Sequence, residues 1–205
     1  MYCCVEDLRR YLKGQEWTGN VIAWKGEILI YSSNASSPVQ IDYQDASHKT
    51  EIFRWIESFV AQKRLSGSLC FDFLEDESGE MFCIECNPRL HSNIVLLTSR
   101  RRQAATAISR ALEETAHART ELVVRPEPAQ RRVHWTYNEL AKLLEGASLE
   151  RVLTLLRAGR DAVWEEEDPL PWLLLNHLQI PSLLAAAVTS GHQWNIVNFC
   201  LGQLR

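Results

Sequence analysis

Two acids and an amide stand at spacings that a hairpin can turn into a cation site. Ser68 to Phe73 and Met81 to Cys86 are strand-like runs separated by the acidic and small residues Leu74 to Glu80. If the turn runs through Glu77 to Glu80, with Asp76 facing Met81, then Asp72 lies directly across from Glu85. Their side-chain roots then stand about 5 Å apart on one face. Asn87 projects from that face one pleat further on, because side chains alternate with period two. Like charges in direct opposition repel, and Leu69, Phe71, Phe73 and Ile84 around them are apolar. A hard divalent cation between the acids removes the conflict, and Mg²⁺ is usually held by one or two carboxylates together with substrate phosphates. The competing reading shifts the register by a residue or two and points both acids into water. Pairing arithmetic alone leaves both open.

The elements around this hairpin follow from periodicity and turn chemistry. Thr18 to Trp24 and Glu27 to Ser32 read as strands joined across Lys25-Gly26. Ser47 reads as the cap of a helix whose apolar residues Ile52, Trp55, Ile56, Phe59 and Val60 recur at spacings of three and four, ending near Arg64. Beyond Pro88 the chain reads as helical, with Ala104 to Ala118 rich in helix formers, and Val123 to Pro128 reads as an extended linker. Tyr137 to Arg205 is leucine-rich and mostly helical. The predicted fold class is α+β: an antiparallel sheet with helices, then a mainly helical tail, with domains at 1–122 and 123–205.

Composition narrows the class. Hydrophobic residues make up 46% and charged residues 23% of the 205 positions, as in ordinary folded domains. A formal net charge of -4 gives no general electrostatic reason to bind nucleic acid. The basic runs Arg100-Arg101-Arg102 and Arg131-Arg132 read as solvated ends. The six cysteines are too few and too uneven for a disulfide scaffold, and no signal peptide is read, so a reducing cytoplasm is expected. Leu170 to Thr189 is long enough to span a membrane but carries two prolines plus Asn176, His177 and Gln179. A buried helical hairpin broken at Pro181 is the expectation, with no membrane partner.

The segment from Gly67 to His91, GSLCFDFLEDESGEMFCIECNPRLH, resembles the metal-binding hairpin of ATP-grasp enzymes. That resemblance implies Asp72, Glu85 and Asn87 as magnesium ligands, with Mn²⁺ also acceptable. It implies Arg89 near phosphate or an acyl-phosphate intermediate, and Ile84 packed beneath adenine. Leu8 to Trp17, LRRYLKGQEW, is similar to the segment where such enzymes hold adenine through the backbone and ribose through an acid. Tyr11 and Leu12 are then hinge candidates and Glu16 the ribose candidate, although Arg10 stands where many members carry glutamate. The resemblance covers Val5 to Leu97. In the tail, Gly159 to Trp164, Asp168 to Pro181 and Trp194 to Leu204 look like the C-terminal region of the ATP-grasp ligases of mycosporine biosynthesis, which join glycine to a cyclohexenone.

The resemblance implies ATP and Mg²⁺ as cofactors and ATP plus small molecules as partners. The implied reaction is a ligation in which an oxygen group is phosphorylated and then displaced by an amine such as an amino acid. The family's phosphate-binding lysine, glycine-rich flap and N-terminal domain have no counterpart ahead of the hinge-like segment. The chain is therefore expected to be the metal-binding half of a ligase, working with a missing N-terminal half or as a homo-oligomer. A noncatalytic binding or scaffold protein derived from that half is the alternative.

Three further signals carry expectations. Cys83-Ile84-Glu85-Cys86 is formally a CxxC, but residues three apart on a strand face opposite ways, so diverging, packed thiols are expected. His91 could contact substrate or phosphate, or cap the helix that follows. Trp135, Trp164, Trp172 and Trp194 are expected to pack.

Overall fold

The computed structural model describes residues 13–36, 42–113, 123–127, 132–144 and 146–190. The predicted α+β class is observed: a four-stranded antiparallel sheet with helices, followed by a mainly helical region. Two compact units divide the chain, Met1–Arg132 and Val133–Arg205.

In the first unit, β1 (Gly14–Trp24) and β2 (Glu27–Ala35) form the expected hairpin, longer at both outer ends than the sequence suggested. Lys25 and Gly26 both take positive φ, 48° and 93°, the two-residue turn whose twist matches flanking strands. A Cβ on Gly26 would also come within 3.3 Å of the Arg64 Cα. A short β3 (Asp42–Gln44) precedes α1 (Thr50–Lys63), and β4 (Gly67–Asp76) and β5 (Met81–Asn87) complete the sheet in the order β2-β1-β4-β5.

Alternation sends Val21, Phe71 and Phe73 to one face, where Ile52, Ile56 and Val60 of α1 cover them. The helix sits close because β1 carries Gly19 beneath it: a Cβ there would lie 2.6 Å from Ile56 Cδ1. Ser47 does not cap α1. Its hydroxyl donates instead to Asp45 Oδ1 at 2.6 Å, closing a tight local turn, and the helix starts later, after Lys49, with no side-chain cap. It ends at Arg64, as expected, with that residue in the left-handed conformation.

The opposite face is covered at its far end by a 3₁₀ helix, Ser92–Arg100, and by α2 (Arg101–Leu112), where Leu97 and Ala107 pack on Leu29 and Ile30. The predicted linker is extended at Val124 but not loose. Val124 pairs in parallel with β2, its N–H donating to the Leu29 carbonyl and its own carbonyl accepting from Tyr31 N–H, each at 2.9 Å.

In the second unit, Val133 and His134 of β6 (Arg132–His134) pair in parallel with β7 (Arg160–Asp161), around α3 (Thr136–Leu144) and α4 (Leu149–Ala158). The Asp161 carboxylate accepts from Thr136 N–H at 2.8 Å and Oγ1 at 2.6 Å, fixing the start of α3. Glu139 is fully buried and accepts from Lys142 Nζ at 2.7 Å. The expected hairpin broken at Pro181 is not formed. The run α5 (Leu170–Leu174), a π turn (Leu175–Gln179) and α6 (Ile180–Ser190) continues helically through Pro181. Proline's ring clashes with the carbonyl four residues back in a regular α-helix, and the wider π turn just before it relieves that clash. Nor is the run buried, since Leu170, Leu173, Leu174, Leu178 and Val188 are exposed. Trp164 and Trp172 meet edge to face at 5.3 Å. Among the described residues no helix is long and apolar enough to cross a membrane.

Candidate functional site

The β4–β5 ladder places Asp72 directly opposite Glu85, with Cys70 opposite Asn87 and Phe71 opposite Cys86. This is the alignment the spacing predicts, reached by a different route. The turn is one residue tighter than expected: Asp76 N–H donates to the Glu80 carbonyl at 3.0 Å, so Asp76 faces Glu80 and not Met81. The Asp76 carboxylate accepts from Ser78 N–H, Ser78 Oγ and Glu80 N–H, and Gly79 supplies a φ of 83°. Near the turn Glu75 pairs with Met81, Leu74 with Phe82 and Phe73 with Cys83. A β-bulge at Ile84 then inserts one residue and restores the Asp72–Glu85 pairing. The displaced turn and the bulge offset each other at the site.

The three predicted ligands meet. Asn87 Nδ2 donates to Glu85 Oε1 at 2.8 Å and reaches Asp72 Oδ2 at 3.5 Å, so the amide bridges both acids. Thr18 Oγ1, from the neighbouring strand, donates to Asp72 Oδ1 at 3.0 Å and shares a 2.8 Å hydrogen bond with Ser36 Oγ. Burial pushes the Asp72 carboxyl above its ordinary value. The Thr18 hydrogen bond pulls it back, the Glu85 carboxyl raises it again, and the Arg89 guanidinium lowers it.

Arg89 is exposed just beyond Pro88, its N–H donating to the Asn87 carbonyl at 2.8 Å. Glu16 is exposed on β1, two residues before Thr18 and thus on the site face. Ile84 is the bulge residue and is 41% exposed. Tyr11 and Leu12 lie outside the described residues. His91 takes the capping role: it is buried, and its Nδ1 accepts from Asn93 N–H at 3.2 Å at the start of the 3₁₀ helix. Burial holds its pKa below the usual histidine value.

The divergence expected of the two CxxC thiols is overturned by the same bulge, while Cys83 packs against the core as expected. With Ile84 inserted, Cys83 faces Phe73 and Cys86 faces Phe71, so both cysteines lie on the α1 side, and Cys86 is exposed.

Sequence reasoning missed the polar floor that continues from Thr18. Asn20, Ser32, Asn34 and Asn93 are all buried. Asn93 Nδ2 donates to Asn34 Oδ1 at 2.6 Å, Ser32 Oγ donates to Asn93 Oδ1 at 3.2 Å, and His91 N–H donates to Asn20 Oδ1 at 3.4 Å. A signal was present in the alternation of Glu16, Thr18 and Asn20 along β1, which puts a polar residue at every second position of a strand otherwise read as ordinary.

The donor set suits a hard divalent cation. Asp72 and Glu85 supply carboxylate oxygens, and half a turn of the Asn87 amide exchanges its donating nitrogen for an oxygen facing the same point. The amide hydrogens now between the acids take the position a cation would neutralise. Among the described residues no group of three or more His, Cys, Asp or Glu side chains gathers, so phosphate and water would have to complete the coordination.

No family model matches the chain, and no curated protein does. Similar solved structures include N5-carboxyaminoimidazole synthetase from Staphylococcus aureus complexed with ADP, at 14% identity and TM-score 0.34 over 43% of this chain and 26% of that one. Biotin carboxylase from Campylobacter jejuni, as its β-γ-ATP complex, matches at 19% identity and TM-score 0.38 over 50% of this chain and 26% of that one. An L-amino acid ligase from Bacillus licheniformis matches at 18% identity and TM-score 0.32 over 42% of this chain and 25% of that one. The chain thus spans about a quarter of the length of these structures.

Proposed function

We propose that this chain carries the ATP- and magnesium-binding end of an ATP-dependent ligase of the ATP-grasp type. The observation that supports this most is the cross-strand Asp72–Glu85 pair bridged by the Asn87 amide, with Thr18 holding Asp72 from the next strand. Asp72, Glu85 and Asn87 hold Mg²⁺ or Mn²⁺, which when bound neutralises the charge of the nucleotide phosphates. Arg89, next along the chain, lies against the transferred phosphoryl group, where a guanidinium stabilises charge spread over equatorial oxygens. Glu16 binds the ribose and the exposed Ile84 packs beneath adenine, with Tyr11 and Leu12 at the adenine hinge.

The reaction class is phosphorylation of an oxygen group followed by displacement by an amine, such as the amino group of an amino acid. The tail resemblance narrows this to the mycosporine type, in which the activated oxygen is an enol or carbonyl oxygen and glycine supplies the amine.

Calorimetry of Mg²⁺-dependent ATP binding tests the reading. Wild type is expected to bind only with magnesium, and Asp72→Asn/Glu85→Gln to lose at least about 100-fold in affinity, the effect of removing two charged ligands at about 1.4 kcal/mol or more each. A folded wild-type chain that binds no nucleotide would instead favour the noncatalytic scaffold reading.

A further inference from the structure

The bulge that aligns Asp72 with Glu85 also moves a thiol across the strand. In an unbroken strand Cys83 and Cys86 would face opposite ways. Here Cys83 stands opposite Phe73 and Cys86 opposite Phe71, and directly opposed residues of an antiparallel pair share a face. Phe71 and Phe73 both belong to the core beneath α1, their ring centroids 6.5 Å apart, and Cys83 packs against that core. The two cysteines are therefore next neighbours on one face of the sheet's edge strand, Cys83 half-buried and Cys86 exposed, and neither is in a disulfide. The Cys83 thiol leans along the strand toward Cys86, donating to the Glu85 carbonyl at 3.8 Å.

We infer that Cys83 and Cys86 form a two-coordinate site for a soft monovalent cation of the copper(I) class. Same-face neighbours on a strand stand about 6.6 Å apart, and their parallel Cβ vectors do not bring the Cβ atoms to the ~4 Å a disulfide needs. A single ion with metal–sulfur distances of about 2.3 Å bridges sulfurs up to about 4.6 Å apart, which two cysteines on adjacent pleats reach by turning χ1 toward each other. Thiolate pairs select soft ions, whereas the oxygens of Asp72, Glu85 and Asn87 on the other face of β5 select hard ones. The aromatic surroundings on the half-buried Cys83 side suit a complex of low charge, and one monovalent ion between two thiolates leaves a single net negative charge. Cys70 supplies no third ligand, because it is buried on the opposite face.

Because Cys3, Cys4 and Cys200 could also take copper, the test uses the full chain with Cys3→Ser, Cys4→Ser and Cys200→Ser. It is titrated anaerobically with Cu(I) against a chromophoric chelator. One Cu(I) per chain with two sulfur neighbours in X-ray absorption is expected. Cys83→Ser and Cys86→Ser should each weaken it by more than about 100-fold, beyond what loss of a ligand's supporting partner costs. Asp72→Asn should leave copper binding unchanged, which separates this site from the nucleotide reading. No copper uptake by the folded parent overturns the inference, as does retained affinity in either cysteine variant whose circular dichroism is native. Cys86 is exposed, so its variant keeps the test decisive even if Cys83→Ser unfolds.

Discussion

The two faces of the four-stranded sheet come from the same strands and are buried to similar depth, yet they are held in different ways. On the α1 face Val21, Tyr31, Phe71 and Phe73 are fully buried against Ile52, Ile56 and Val60, with Ser33 of β2 also fully buried among them. On the other face, Thr18, Asn20, Ser32 and Asn34 are as deeply buried but polar. An apolar face needs only volume and close packing. A buried amide or hydroxyl costs stability unless it is hydrogen-bonded, so the polar face needs named partners: Asp72 for Thr18, Asn93 for Ser32 and Asn34, and the His91 N–H for Asn20. The candidate site lies at the open edge of the face with directional bonds, and the face held by packing backs it rigidly.

Truncating the packed face should produce the largest effect. Phe71 is fully buried and meets Trp55 and Phe59 edge to face at 5.9 and 5.8 Å. Phe71→Ala should cost about 3–5 kcal/mol in urea unfolding, and Phe71→Leu, which restores most of the volume, clearly less. The polar face should respond to chemistry and not to size. Asn93→Ala removes the partner of Asn34 and Ser32 and should cost at least about 2 kcal/mol, since each of these two orphaned buried groups costs about 1–3 kcal/mol. Asn93→Leu, close in volume, should recover none of it. Full recovery would mean that both faces are held by packing, and the contrast would fail.

The contrast also explains what the sequence revealed. The apolar face was legible because Ile52, Ile56 and Val60 repeat at helical spacing and Phe71 and Phe73 alternate at strand spacing. The Asp72–Glu85 opposition was legible as arithmetic, although the turn is a residue tighter and the bulge at Ile84 makes up the difference. Neither deviation has a strong local signature: Asp76 selects the tight turn through three hydrogen bonds that depend on the folded loop. The polar floor was missed because its partners are distant in sequence, Asn34 and Asn93 being 59 positions apart. Ser47 has the residue type and position of a cap, but an Asp two residues earlier takes its hydroxyl.

The smallest effect should come from Asp72, where the two faces' rules meet in one side chain. Burial, and then the Glu85 carboxyl against the opposing Thr18 hydrogen bond, leave its pKa above the ordinary carboxylate value. A carboxyl raised on folding contributes full stability below its unfolded pKa of about 3.9, and that contribution is lost as pH rises through the higher folded value. The ionised Asp72 therefore weakens the cation-free fold at neutral pH. Asp72→Asn keeps an acceptor for Thr18 and adds a donor toward Glu85, so it should melt higher than wild type at pH 7. The gain should stay below about 1 kcal/mol, because the site is partly open and screened, and it should vanish as pH approaches 4. A variant less stable than wild type at pH 7 would show that the carboxylate anchors the fold and is not held in conflict. With magnesium and ATP at 100 times the wild-type dissociation constant, ligand binding should add about 2.7 kcal/mol to wild type and, after a tenfold loss of affinity, no more than about 1.4 kcal/mol to the variant. The order of the two melting curves should then reverse, the behaviour of a residue kept for its ligand at some expense to the fold.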